Sequence, residues 1–227
     1  MIKLELKAMK TPFIAYCLIT VIFILLLLLS SELFLPRQLE NGYIQTPMFY
    51  FTDFFLPMLA CSCVVMQFGN SLEKNTFMFA CSLPKSNKII FRWLFTLVAV
   101  FIPHFFSSLF AYRTLTDIFE MQITFSRFIF LNEANLLLFC STALLLVILF
   151  RQIFYVFTVL FGYACVDFFI NKVMFSEFSV FANIAAKCAK EAITVNRIVV
   201  YIISAAAFLI CVFMEKTKFL QKINKMV

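Results

Sequence analysis

The chain has 227 residues, of which 63% are hydrophobic, 14% are charged and only three are glycine, and it carries a formal net charge of +7. Soluble domains are about 45–50% apolar, so this composition excludes a water-soluble enzyme and implies a single membrane domain, about 20 apolar residues being enough for one crossing. Gly42, Gly69 and Gly162 stand apart from one another and His104 is the sole histidine, which excludes a glycine-rich phosphate loop and any HExxH or multi-histidine metal site.

No catalytic or metal centre is therefore expected, and the energy source is expected on another chain or in an ion gradient. The eight cysteines fall mostly inside apolar runs, where a thiol acts as a small hydrophobe. A disulfide framework, a device of small secreted domains, is not expected.

Hydropathy predicts an all-α membrane protein with six spans, at 13–35, 50–69, 89–112, 128–150, 153–171 and 197–214. Ahead of the first, Ile2, Leu6, Met9 and Phe13 recur at helical spacing beside a stripe of Lys3, Lys7 and Lys10. Residues 1–12 are thus expected to form an amphipathic elbow at the membrane surface, with Pro12 bending into the span. The apolar run that follows is too long for a secretory signal and lacks a cleavage site, so it reads as a retained anchor.

With the N-terminus in the cytoplasm, twelve of the nineteen Lys and Arg fall on inner segments and seven on outer ones. The positive-inside rule favours this arrangement. An even number of spans returns the C-terminus to the cytoplasm, where the Lys-rich tail at 215–227 suits anionic lipid. That tail explains much of the charge without nucleic acid. On the outer side, 173–196 has an apolar face with Ile184, Ala185, Cys188 and Ala192 and a polar one with Lys187, Lys190 and Glu191. Short interfacial helices are expected there.

The inner loop between spans two and three carries the most information. Asn70 as N-cap and Glu73 at the third helical position make a capping-box variant, which predicts a helix starting at Asn70. Leu72, Thr76, Phe79, Ala80 and Leu83 line one face, and Pro84 ends it. A short cytoplasmic helix over 70–84 with an apolar face is suited to a groove of a soluble partner.

The run Glu73, Asn75-Thr76, Leu83-Pro84-Lys85-Ser86-Asn87-Lys88 and Arg92 resembles the permease subunits of type-2 ABC transporters. Asn75 stands where that family usually has glycine, and Phe77-Met78-Phe79 is unusually apolar. The resemblance extends to six spans, an elbow, a minimal loop at Arg151 and outer helices before the last span. It implies that 70–84 is a coupling helix in a cleft of a separate ATPase, with Asn70, Glu73, Thr76, Phe79, Leu83 and Pro84 at the contact and Arg151 near a second, smaller one. It implies a dimer of ABC ATPase subunits binding ATP and Mg, a second permease of the same or a homologous chain, and a multi-pass location in a bacterial plasma membrane with both termini cytoplasmic. This chain itself would bind no cofactor. Small size and the lack of a large outer domain are similar to permeases of antimicrobial-peptide export and self-immunity. The alternatives are a lipid-linked or polysaccharide cargo, and a membrane sensor or interaction protein that does not transport.

Ionisable residues at membrane depth mark candidate sites. Glu133 and Asp167 both fall toward the outer side, either as a pair that attracts a cationic substrate or as locally paired charges, Glu133 with Arg127 and Asp167 with Lys172. His104 follows Pro103 and is expected to hydrogen-bond to a freed carbonyl or to a neighbouring span. Met58, Cys61, Cys63 and Met66 are soft metal ligands, but Cys61 and Cys63 point about 200° apart on a helix, so they read as packing.

Overall fold

A computed structural model describes residues 2–34, 37–38, 44–45, 48, 50–73, 88–118, 123–171 and 190–216. The described chain is helical apart from one ladder of two residues a side, in which Arg37–Gln38 pairs antiparallel with Ile44–Gln45. The helices are α1 (Ile2–Leu29), α2 (Leu56–Glu73), α3 (Lys88–Arg113), α4 (Phe125–Phe150), α5 (Ile153–Asn171) and α6 (Lys190–Lys216). A 3₁₀ turn, Ser31–Phe34, follows α1, a π-helical segment, Tyr50–Phe55, leads into α2, and another, Thr114–Ile118, follows α3.

Among the described residues, five stretches are long and apolar enough to cross a membrane: Lys10–Leu29, Tyr50–Gly69, Ile90–Ile118, Phe125–Phe150 and Ile193–Met214. The fifth of the six expected spans is a helix, but its apolar described part, Ile153–Asp167, is shorter than these. Three expected boundaries move. Residues 2–12 and the first span form one helix, with Pro12 inside it, so the elbow is not a separate element. Asn70 and Glu73 lie in the last turn of α2, so the helix does not begin at Asn70. The last helix starts at Lys190, seven residues before the expected 197, so the end of the expected outer helix and the last span are one continuous helix. The remainder of the 70–84 helix and the 173–196 and 215–227 segments falls mostly outside the described residues.

α4 is the centre of the bundle, packed chiefly against α6 on one side and α2 on the other. α1 covers α2 and α3, while α5 leans on α4 and α2. The α4–α5 connection is short because Arg151 adopts the left-handed conformation, φ 57°, and its N–H donates to the Val147 carbonyl at 2.9 Å. A 5→1 bond of this kind closes a helix in one residue. Pro103 lacks the N–H that the Ala99 carbonyl would accept in α3. One position on, the Val100 carbonyl receives the Tyr16 hydroxyl at 3.1 Å, fastening α1 to α3 at that break.

Aromatic rings fasten the start of α2. Phe23 of α1 stacks on Phe51 at 5.2 Å between centroids, and Phe34 meets both rings edge-on. At the other end of α2, Gly69 lies against Ile153, where an added Cβ would come within 2.6 Å of Ile153 Cγ1. Gly69→Ala is therefore expected to lower thermal stability by about 1–3 kcal/mol through overpacking. Ile153→Ala in the same chain should recover part of that loss, as read by the melting of the detergent-solubilised protein.

Candidate functional site

The polar residues of the bundle meet around α4. Pro57 is the origin of the site. It has no N–H, so an α-helical partner is missing for the Asp53 carbonyl and a π-helical one for the Thr52 carbonyl. Both carbonyls point instead at side chains of other helices. His104 Nε2 of α3 lies 3.1 Å from the Thr52 oxygen, and Asn135 Nδ2 of α4 donates to the Asp53 oxygen at 2.7 Å. Side-chain donors at a freed backbone carbonyl are how helix breaks are accommodated in hydrocarbon.

Around the Asp53 carbonyl the bonds close into a ring. Arg197 of α6 donates from NH1 to Asn135 Oδ1 at 2.7 Å, and its NH2 meets Asp53 Oδ2 at 3.4 Å. Both members of that ion pair are fully buried. Asn135 thus faces Asp53 with its donor and Arg197 with its acceptor, using the amide as an adaptor between two elements.

His104 extends the network to α4. Its Nδ1 lies 3.1 and 3.0 Å from the two carboxyl oxygens of Glu133. A carbonyl only accepts, so Nε2 must hold a proton to bond Thr52. One further proton is shared between Nδ1 and the Glu133 carboxyl. As imidazolium and carboxylate or as two neutral groups, the pair carries no net charge, which is what burial of both residues demands. Ser108 donates to Glu133 Oε1 at 3.2 Å and accepts from Asn132 Nδ2 at 2.5 Å.

Each residue singled out above can now be placed. Glu133 is engaged with His104 and Ser108 rather than Arg127, which is exposed, so it is not half of a free acidic pair. Asp167 is buried on α5. His104 bonds both a freed carbonyl and a neighbouring helix. Cys61 donates to the Met58 carbonyl at 2.9 Å, a local packing role. Among the described residues no group of three or more His, Cys, Asp or Glu is placed to hold a metal. Asn70 and Glu73 are described in backbone only, Thr76, Phe79, Leu83 and Pro84 lie outside the described residues, and Arg151 forms the α4–α5 turn.

Asp53 and Arg197 were not expected as a site. Asp53 falls inside the expected span 50–69 without drawing notice, and Arg197, at the first position of the expected span 197–214, reads as an outer charge. The available signal was Pro57 four residues after Asp53, together with the apolar run Ile198-Val199-Val200 directly after Arg197.

No family model, curated protein or solved structure matches this chain. The site must therefore be read from its own geometry.

A second polar contact lies at the other end of α2. Arg92 of α3 donates to the Gln67 carbonyl at 3.0 Å and lies 4.8 Å above the Phe68 ring. The Thr96 hydroxyl donates to Gln67 Oε1. These bonds clamp α2 to α3 on either side of the 74–87 connection.

Removing one member of a buried ion pair leaves the other charged and unpaired, at a cost of about 3–5 kcal/mol. Arg197→Met is expected to lower the melting temperature strongly. Asp53→Asn added to it should restore part of the loss, since no uncompensated carboxylate then remains. Equal melting of the single and double variants would contradict the pairing.

Proposed function

We propose that the chain is the membrane-spanning subunit of an ATP-driven exporter of the type-2 ABC class. It crosses a bacterial plasma membrane six times, with α5 as the fifth crossing and both termini in the cytoplasm. The first turns of α1 lie in the headgroup region, and residues 70–84 engage a dimer of ATPase subunits that binds ATP and Mg. A second permease, the same chain or a homologue, completes the assembly.

The observation that supports this reading best is the Gln67–Arg92–Thr96 clamp. It joins the two helices that flank the proposed coupling segment, and Arg92 is the basic residue that closes the motif. A push delivered to residues 74–87 would then enter α2 and α3 together. α2 leads from that clamp toward the Asp53 and Thr52 carbonyls beyond its far end, a path of about 15 residues or roughly 22 Å along a helix. Movement at the cytoplasmic end would therefore load the polar core directly. The composition adds the division of labour, since the chain has no phosphate loop of its own.

The proposed cargo is a peptide, in the manner of antimicrobial-peptide immunity. A lipid-linked or polysaccharide cargo, and a membrane sensor that does not transport, are the alternatives.

Co-purification with an ATPase encoded beside this chain tests the class. Glu73→Ala and Leu83→Asp are each expected to reduce that association and ATP-dependent transport by tenfold or more, while the variants still insert in the membrane. Unchanged association and transport in both would remove the coupling assignment.

A further inference from the structure

Several polar contacts tie α4 to its neighbours, and one of them depends on a proton that can leave. Asn135 meets the Asp53 carbonyl through an amide N–H, and Arg197 reaches Asn135 and Asp53 through its guanidinium. Neither donor is lost at ordinary pH. His104 and Glu133 differ, because Nδ1 and the carboxyl oxygens, 3.0 and 3.1 Å away, attract only through the proton they share. Without it a lone pair would face a carboxylate where both residues are buried, and the contact would turn repulsive.

The surrounding groups do not supply a substitute. Ser108 already directs its one hydrogen at Glu133 Oε1. The π-helical segment brings Asp53 and α6 brings Arg197, which neutralise each other. α1 brings Tyr16 and α6 brings Tyr201, and their hydroxyls donate to the Val100 and Phe130 carbonyls. α2 and α4 add the buried thiols of Cys61, Cys63 and Cys140. Arg127 and Asp117, at the ends of their elements, are exposed.

We propose that the His104–Glu133 contact is a proton-operated latch between α3 and α4, closed by one bound proton and releasing it when the two helices part there. Once parted into water, a carboxyl ionises above about pH 4.3 and an imidazolium loses its proton above about pH 6.5. Opening above about pH 6.5 therefore leaves a carboxylate and a neutral imidazole, with the proton passed to water. Closing takes that proton up again. In that range each unit of rising pH weakens the closed state by up to about tenfold, because the open state holds fewer protons. The latch rests on these bonds alone and is independent of the exporter reading.

Unfolding of the detergent-solubilised full chain between about pH 6.5 and 8, below the value of about 8.5 at which exposed thiols ionise, tests it. The folding equilibrium constant of the wild type is expected to fall at least about tenfold over that interval. In Glu133→Gln the amide can donate to a neutral Nδ1, which keeps the contact without a titrating proton, so the fall should be less than about threefold. A second readout uses the unaltered chain. His104 is the sole histidine, so labelling histidine with ¹⁵N gives a single imidazole. Its ring-nitrogen shifts are expected to stay constant from about pH 5.5 to 8, across the range where a free imidazole titrates. The proposal is overturned if that imidazole titrates near pH 6.5 as a free one does, or if the wild type and Glu133→Gln lose stability in parallel.

Discussion

A proline near the start of an apolar helix leaves backbone carbonyls that hydrocarbon cannot solvate, and the rest of this bundle is arranged around that one deficit. Pro57 withholds an N–H where the π-helical segment passes into α2, and the oxygens of Thr52 and Asp53 each take a side-chain donor from a different helix. Every donor then carries its own requirement. His104 needs Glu133 on its second nitrogen, Asn135 needs a donor on its amide oxygen, and Arg197 fills that need while meeting Asp53. The π-helical turn, α3, α4 and α6 are tied together as a consequence. Polar bonds between helices in lipid are individually modest, averaging about 0.6 kcal/mol, so the strength of the arrangement lies in the number of elements it closes on one point.

The same economy governs charge. Asp53 with Arg197, and His104 with Glu133, are each neutral as pairs, so the core contains titratable groups without a net charge at its centre. α2 connects this core to the Gln67–Arg92–Thr96 clamp, and α3 is fastened to α2 at that clamp and, through His104, to the π-helical segment ahead of α2. The two helices are thus joined at two separate depths. That property suits a protein whose proposed role is to carry motion from a cytoplasmic partner to the far side of a bilayer.

The helices themselves were legible in the amino-acid sequence, because 20-residue apolar runs leave few other options. Their ends were less so. Lys190 and Glu191 read as the polar face of a separate outer helix and yet begin α6, and Asn70 looks like a cap and yet continues α2. In both places polar residues at a helix end do not say whether one helix stops or runs on. His104 and Glu133 were each recognisable as unusual, but their pairing was not, since it depends on how α3 and α4 are rotated against each other. The apolar faces of these helices are nearly continuous and fix no rotation. Polar residues do fix it, and matching them by depth across helices was the step that would have joined Asp53 to Arg197.

The central claim is that one hydrogen-bonded polar core sets the rotation of these helices, and the His104–Glu133 contact is where it is most directly measured. A double-mutant cycle with His104→Ala, Glu133→Ala and both together, read from unfolding in detergent, is expected to give a coupling energy of about 1–3 kcal/mol, as for residues in one buried network. Additive effects, within about 0.5 kcal/mol, would contradict the account, because they would mean that the two side chains do not meet.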